Sequence, residues 1–170
     1  MKTILFILII GAYCGISSAQ KAPKFNLTKD GVAPVVLTFD ASYTASQIYT
    51  KAKGWNASKN KYPQASIRVD KENAQLKLAG YIEKAWKIRA NNFDHWYPLD
   101  YALNIEIKDG RCRVSFETAE SRYKVWYDKK GTIIPKFKDS EATFEATINE
   151  LLTSLYTFIK TTPKKTEDNW

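Results

Sequence analysis

Apolar residues recur at every second position through the middle of the chain and at every third or fourth position near its two ends. Val35, Leu37 and Phe39 alternate in a stretch rich in β-branched residues, which predicts a first strand. Thr44 then stands three residues before Gln47, the capping-box spacing that starts a helix. Ala45, Ile48, Tyr49, Ala52 and Trp55 follow as its apolar stripe, with Gly54 expected to weaken or end it. Ala65, Ile67 and Val69 alternate with polar neighbours, Asp70 to Ala74 reads as a turn, and Leu76, Leu78, Gly80 and Ile82 alternate again. A loop leads to Tyr101, Leu103, Ile105 and Ile107, whose return strand carries Cys112, Val114 and Phe116. Between the two, Asp109-Gly110 is a hairpin signal in which both turn positions are expected to take positive φ. Tyr123 to Tyr127 and Thr132 to Pro135 bracket Asp128 to Gly131 and predict a further hairpin. The last element is a helix over 140–160 with Phe144, Ile148, Leu151, Leu152, Leu155, Phe158 and Ile159 on one broad face. Glu141 and Glu145 near its start and Lys160 at its end suit the helix dipole.

Strands with one apolar face need a cover, and two amphipathic helices need a surface. A two-layer α+β domain, an antiparallel sheet with both helices on one face in the order β-α-β-β-β-β-α, satisfies both. It is expected to span residues 34–162 as a single domain. A flexible lead-in over 20–33 precedes it and a disordered tail over 163–170 follows it. No internal repeat or low-complexity segment is evident.

The N-terminus changes the setting. Lys2, the apolar run Ile4 to Ile10 and the small residues Ser17-Ser18-Ala19 form the export pattern, so residues 1–19 are expected to be a signal peptide cleaved near Ala19. The run is too short for the roughly 20 residues of a membrane span. Lipidation at Cys14 is disfavoured by the bulky Tyr13 before it. The mature protein is then periplasmic or extracellular, with Cys112 its single cysteine. No intrachain disulfide can form, and the alternation puts this thiol on a buried strand face. The formal charge of the 170-residue chain is +8, but lysine dominates, with arginine only at 68, 89, 111, 113 and 122. Dispersed lysines favour solubility over a phosphate-gripping surface.

Candidate chemistry is sparse. The open face of the sheet is expected to show Arg68, Lys77, Lys108, Arg111 and Arg113 against Asp70, Glu83, Glu106 and Glu117. That is a cross-paired, solvated face without the apolar wedges of a minor-groove binder, so no nucleic-acid partner is expected. The most distinctive stretch is 86–98, WKIRANNFDHWYP, read as a loop. Trp86, Arg89, His95, Trp96 and Tyr97 are its candidate ligand-binding residues, because loop aromatics serve as stacking platforms and interface anchors. Alternatively, the rings fold back onto the core. Asp94 and His95 are adjacent and point to opposite sides of an extended chain, so no catalytic triad can be named. A lone histidine supports no metal site, and no cofactor is expected. A hydrolase acting on an envelope polymer would need two of Glu83, Glu106, Glu117 and Asp94 in one pocket. Asn26-Leu27-Thr28 and Asn56-Ala57-Ser58 match glycosylation acceptors.

A strand ending Phe39-Asp40, a helix reading SQIYTKAKGWNAS, a short strand ending IRVD and a strand LKLAGYI together resemble a bacterial family. Its members are exported domains of unknown function with a fold like one repeat of the TATA-binding protein. The resemblance covers roughly residues 35–123. It implies a TBP-like fold and no activity. The expectation is therefore an exported, non-enzymatic binding or scaffolding domain of the cell envelope. Its partner is an unidentified envelope protein or glycan, and a homodimer through a sheet edge or the last helix is possible.

Overall fold

In the computed structural model, which describes residues 23–58 and 65–161, the capping box at Thr44 is formed. Gln47 N–H donates to Thr44 Oγ1 and Thr44 N–H donates to Gln47 Oε1, each at 3.2 Å. The expected leader and tail lie outside the described residues. In chain order the elements are β1 (Leu27–Thr28), β2 (Gly31–Val32), β3 (Val35–Thr38), α1 (Ala45–Ala57), β4 (Ser66–Lys71), β5 (Gln75–Ala90), β6 (Phe93–Lys108), β7 (Arg111–Glu117) and α2 (Lys138–Thr161). Two 3-10 turns, Arg122–Trp126 and Pro135–Phe137, precede α2.

The five-stranded sheet has the order β3-β7-β6-β5-β4 and every pairing in it is antiparallel. β3 and β4 are its two edges. Helix α1 therefore carries the chain from one edge to the other, and the remaining strands meander back. Both helices pack on the side that carries Leu37, Leu76, Leu78, Leu103, Ile105 and Val114, all fully buried. Ile48 and Ala52 of α1, with Ile148, Leu151, Leu152 and Leu155 of α2, fill the other half of this core. The α2 C-terminus has its carbonyls capped: Lys51 Nζ donates to Ile159 C=O at 2.9 Å and Tyr43 Oη to Lys160 C=O at 3.2 Å.

Several expectations are corrected. Residues 23–33 are no loose lead-in, because Phe25 and Leu27 are buried. Their backbone is tied to α2 through Phe25 N–H to Asn149 Oδ1 at 2.7 Å and Leu27 N–H to Glu145 Oε1 at 3.0 Å. Gly54 does not end α1, which runs on to Ala57. The hairpin expected over 123–135 is a 3-10 turn and one isolated bridge, Tyr127 to Ile133, around the turn at 128–131. At Asp109-Gly110 only the glycine takes positive φ, 68°.

The largest difference is the supposed loop 86–98, which is strand on both sides. β5 and β6 run on as a hairpin of 16 residues each, closed by Asn91 and Asn92 at φ 51° and 65°. Positive φ at both central residues matches the sense of the strand twist, and asparagine tolerates it better than most residues. Two irregularities shape this hairpin. Gly80 faces Tyr101 across the strands, and a Cβ there would stand 2.5 Å from the phenol oxygen and 2.6 Å from its Cζ, so only glycine leaves room for that ring. Between Ile82 and Trp86 the register shifts, setting extra β5 residues against Pro98. Proline offers no N–H to the ladder, and α2 compensates. Thr147 Oγ1 donates to Ala85 C=O at 2.6 Å, and Lys87 N–H donates to Thr143 Oγ1 at 3.2 Å.

A second bulge, between Ile67 and Val69, turns Asp70 to the helix side, opposite Leu76, and leaves Ile67 exposed at the edge. Asp70 therefore leaves the open face on which the simple alternation places it.

Candidate functional site

β4 pairs with β5 only as far as Ala79, and β7 pairs with β6 only as far as Ala102. Beyond those rungs the β5–β6 hairpin continues as a two-stranded ribbon. Its outer part pairs Trp86 with Tyr97, Lys87 with Trp96, Ile88 with His95, Arg89 with Asp94 and Ala90 with Phe93. From Trp86 to Ala90 the ribbon extends roughly 13 Å.

Its first rung is locked. Trp86 has no exposed surface and stacks on Tyr97, with centroids 4.5 Å apart and planes at 16°. The Trp126 ring meets Trp86 edge-on at 4.9 Å. The Arg122 guanidinium lies 5.4 Å from the Trp86 ring centroid and 5.0 Å from that of Tyr97. Glu120 holds that arginine in a forked ion pair, with Arg122 Nε 2.9 Å and 2.8 Å from its two carboxylate oxygens. The same pairing keeps the Glu120 carboxyl below the usual carboxylate range.

Past this clamp the side chains meet water. Phe93 is 70% exposed and Trp96 45%. Strand alternation puts Trp96 and Arg89 on one face of the ribbon and Phe93 and His95 on the other. Lys87 Nζ donates to Asp94 Oδ2 at 2.7 Å and lies 5.7 Å from the Trp96 ring centroid. This hydrogen bond, more than the charges nearby, holds the Asp94 carboxyl below its ordinary value. The five expected ligand residues thus separate. Trp86 is a core residue and Tyr97 a half-buried one, while Arg89, His95 and Trp96 are exposed on the ribbon and divided between its faces. Phe93, the most exposed of the large apolar side chains, joins them. The unread signal for it was Asn91-Asn92, which makes the stretch a hairpin end rather than a loop.

The remaining candidates are occupied structurally. Glu117 pairs with Lys77 at 2.6 Å and Glu106 lies 4.0 Å from Arg113. By register these two carboxylates stand roughly 13 Å apart along the sheet, beyond the ~5–9.5 Å of glycosidase pairs. Glu83 is exposed at the bulge. Cys112 is buried, and burial pushes its thiol up to about 12, the opposite of an activated nucleophile. Asn56 is buried with both amide atoms engaged, Nδ2 to Ala65 C=O at 2.9 Å and Oδ1 from Ala65 N–H at 3.0 Å. No glycan can be attached there in the folded domain.

A Tyr49–Lys53–Asp70 cluster, which the alternation pattern did not bring together, joins α1 to β4. Tyr49 Oη donates to Asp70 Oδ1, and Lys53 Nζ donates to Asp70 Oδ2 at 2.9 Å and to Tyr49 Oη at 3.2 Å. The hydrogen bond to Asp70 raises the Tyr49 phenol, and the hydrogen bonds from Tyr49 and Lys53 lower the Asp70 carboxyl. A phenol held protonated against a carboxylate held ionised is a tie, not a proton relay. Among the described residues no group of three or more His, Cys, Asp or Glu side chains gathers as metal ligands, and no helix is long and apolar enough to cross a membrane.

A family model described as a domain of unknown function (DUF4468) with TBP-like fold matches residues 39–124. A TBP-like protein from Parabacteroides distasonis ATCC 8503 is similar in structure. It has a TM-score of 0.53 at 11% identity over 84% of this chain and 99% of its own, a likeness that bears on fold alone. A DUF4468 family protein from Bacteroides ovatus ATCC 8483 has a TM-score of 0.49 at 13% identity, over 86% of this chain and 94% of its own. No curated protein matches the chain.

Proposed function

We propose that this chain, which belongs to the DUF4468 family of domains of unknown function with a TBP-like fold, is an exported, non-enzymatic binding domain of the bacterial cell envelope. Its contact surface is the outer end of the β5–β6 ribbon. The observation that carries this reading is the exposure of Phe93 and Trp96 beyond a rung immobilised by Trp86, Tyr97, Trp126 and Arg122. Large aromatic side chains on a rigid support bind with little loss of conformational freedom, and such rings dominate the energetics of protein contacts. Arg89 and His95 supply donors beside them. Export rests on Lys2, the Ile4–Ile10 run and Ser17-Ser18-Ala19. The non-enzymatic part rests on Asp94, Glu106 and Glu117 each standing beside a cation.

Capture from envelope extracts on immobilised protein tests the reading. Phe93→Ala and Trp96→Ala are expected to lose the retained species, while Val125→Ala, an exposed apolar residue off the ribbon, keeps them. Recovery of the same species by all variants removes the ribbon from the binding surface. N-terminal sequencing of the protein from the envelope fraction should begin near Gln20, and an intact Met1 there refutes cleavage near Ala19.

A further inference from the structure

On one face of an antiparallel pair, directly opposed side chains are close neighbours and like charges destabilise. Lys108 and Arg111 are opposed in this way at the end of β6 and β7. Arg113 follows on the same face one pair inward, between Val36 of β3 and Glu106 of β6. Asp109 in the turn itself makes no ion pair with either: its Oδ1 accepts the Ala45 N–H at the start of α1 at 2.7 Å. Glu106 lies 4.0 Å from Arg113. Among the described residues no carboxylate pairs with Lys108 or Arg111. The corner therefore holds three cations against two carboxylates, Glu106 and Asp109, a formal +1.

The surface there is indented. A half-enclosed depression is bounded by Val36, Glu106, Lys108, Arg111 and Arg113, and a more open one by Phe39, Ala41 and the turn 108–111. Lys108 and Arg111 belong to both. We infer that this corner is a binding site for a dianionic phosphate group, gripped by the Arg111 and Arg113 guanidinium forks with Lys108 as a point charge. Two arginines spaced by two residues along one strand stand roughly 7 Å apart, so their forks can converge on one tetrahedral oxyanion. Unrelieved repulsion between Lys108 and Arg111 is a local loss of stability that a bound anion repays. This site is independent of the ribbon surface proposed above.

The test is an amide-shift titration of the protein, purified as its host makes it, with inorganic phosphate, alongside thermal unfolding. Wild type is expected to show saturable shifts confined to 36–38 and 108–113 and an unfolding midpoint that rises with phosphate. Arg111→Glu should bind roughly tenfold or more weakly. Without phosphate its midpoint should equal or exceed that of wild type, because Lys108 gains an opposed carboxylate. That rise separates loss of the site from loss of the fold. Lys71→Glu makes the same charge change at the far edge of the open face and should leave binding within about twofold. Equal losses in both variants, or shifts spread over surface lysines, overturn the site. A vesicle arm and the free-phosphate arm together identify the source of the phosphate. Co-sedimentation with phosphatidic acid in phosphatidylcholine, abolished by Arg111→Glu, assigns a lipid headgroup. Saturable free-phosphate binding without co-sedimentation assigns a soluble phosphate ester. Binding in neither arm overturns the proposal.

Discussion

The two halves of the β5–β6 ribbon follow one alternation and meet opposite fates. Near the root, Leu76, Leu78, Leu103 and Ile105 face the helices and are fully buried, each contributing about 1.5–3 kcal/mol through burial. Towards the turn the same parity continues through Tyr97, His95 and Phe93, yet exposure rises until Phe93 lies largely in water. The strands do not change; the cover does. Period-two patterning states which side chains share a face, and only the third dimension states what lies over them. Apolar residues beyond the end of the cover are the ones left for a partner.

Truncation of the two ribbon tryptophans gives the largest contrast. Trp86→Ala removes a fully buried ring stacked on Tyr97 and edge-packed by Trp126, and is expected to cost about 3–5 kcal/mol in denaturant unfolding. Trp96→Ala, ten residues on, should stay within about 1 kcal/mol, because its ring is already half in water and its cation contact to Lys87 is weak. Trp86→Phe should recover much of the loss, since the indole Nε1 is buried without a hydrogen-bond partner. Equal destabilisation by both alanine variants would abolish the distinction between root and outer end.

A smaller effect belongs to the junction between the two halves. Where Pro98 leaves the β5 bulge without a strand partner, the Thr147 hydroxyl serves the Ala85 carbonyl. Thr147→Val keeps the shape and removes the donor, so a buried carbonyl goes unpaired at about 1–3 kcal/mol. Thr147→Ser retains the hydroxyl and should fall well short of that loss. Amide exchange should quicken at 85–97 in Thr147→Val and stay unchanged at the root. Uniform quickening would mean that α2 does not anchor the ribbon locally.

Much of the architecture was legible because its signals are local or strictly periodic. The Thr44/Gln47 cap, the strands at 101–107 and 112–116 and the wide stripe of α2 all stand as read. The failures have separate physical causes, two of them bulges. The bulge between Ile82 and Trp86 buries the adjacent Ala85 and Trp86 together and interrupts the run of strand β5, so the stretch beyond it, closed by Asn91-Asn92, reads as a separate loop. The bulge between Ile67 and Val69 moves Asp70 across the sheet. The strap at 23–33 escaped notice for another reason. Phe25 and Leu27 are too few to display a period, and the groups that hold them, Asn149 and Glu145, lie more than a hundred residues away. Of the candidate site, the residue types were visible and their division between faces was not.

The edge strand β4 supplies the last and smallest test, since apolar cover is thin there and a polar tie replaces it. Its pH limits follow from the two shifts. The Asp70 carboxyl is lowered by its hydrogen bonds from Tyr49 and Lys53. Its contribution is therefore fully present above the unfolded carboxyl value of about 4 and is lost as pH falls through the folded one. The Tyr49 phenol is raised by its bond to Asp70. Its share is present below the unfolded value of about 10 and is lost as pH rises through the folded one. Amide protection of β4 is accordingly expected to hold across neutral pH and to fall at both extremes, while that of β6 and β7 holds further in each direction. Asp70→Asn still accepts the Tyr49 hydrogen bond but lacks the charge that Lys53 meets, so it should flatten the acid limb and lower the neutral plateau slightly. An acid limb that persists in Asp70→Asn would assign the loss to another carboxylate and leave β4 held by its ladder to β5 alone.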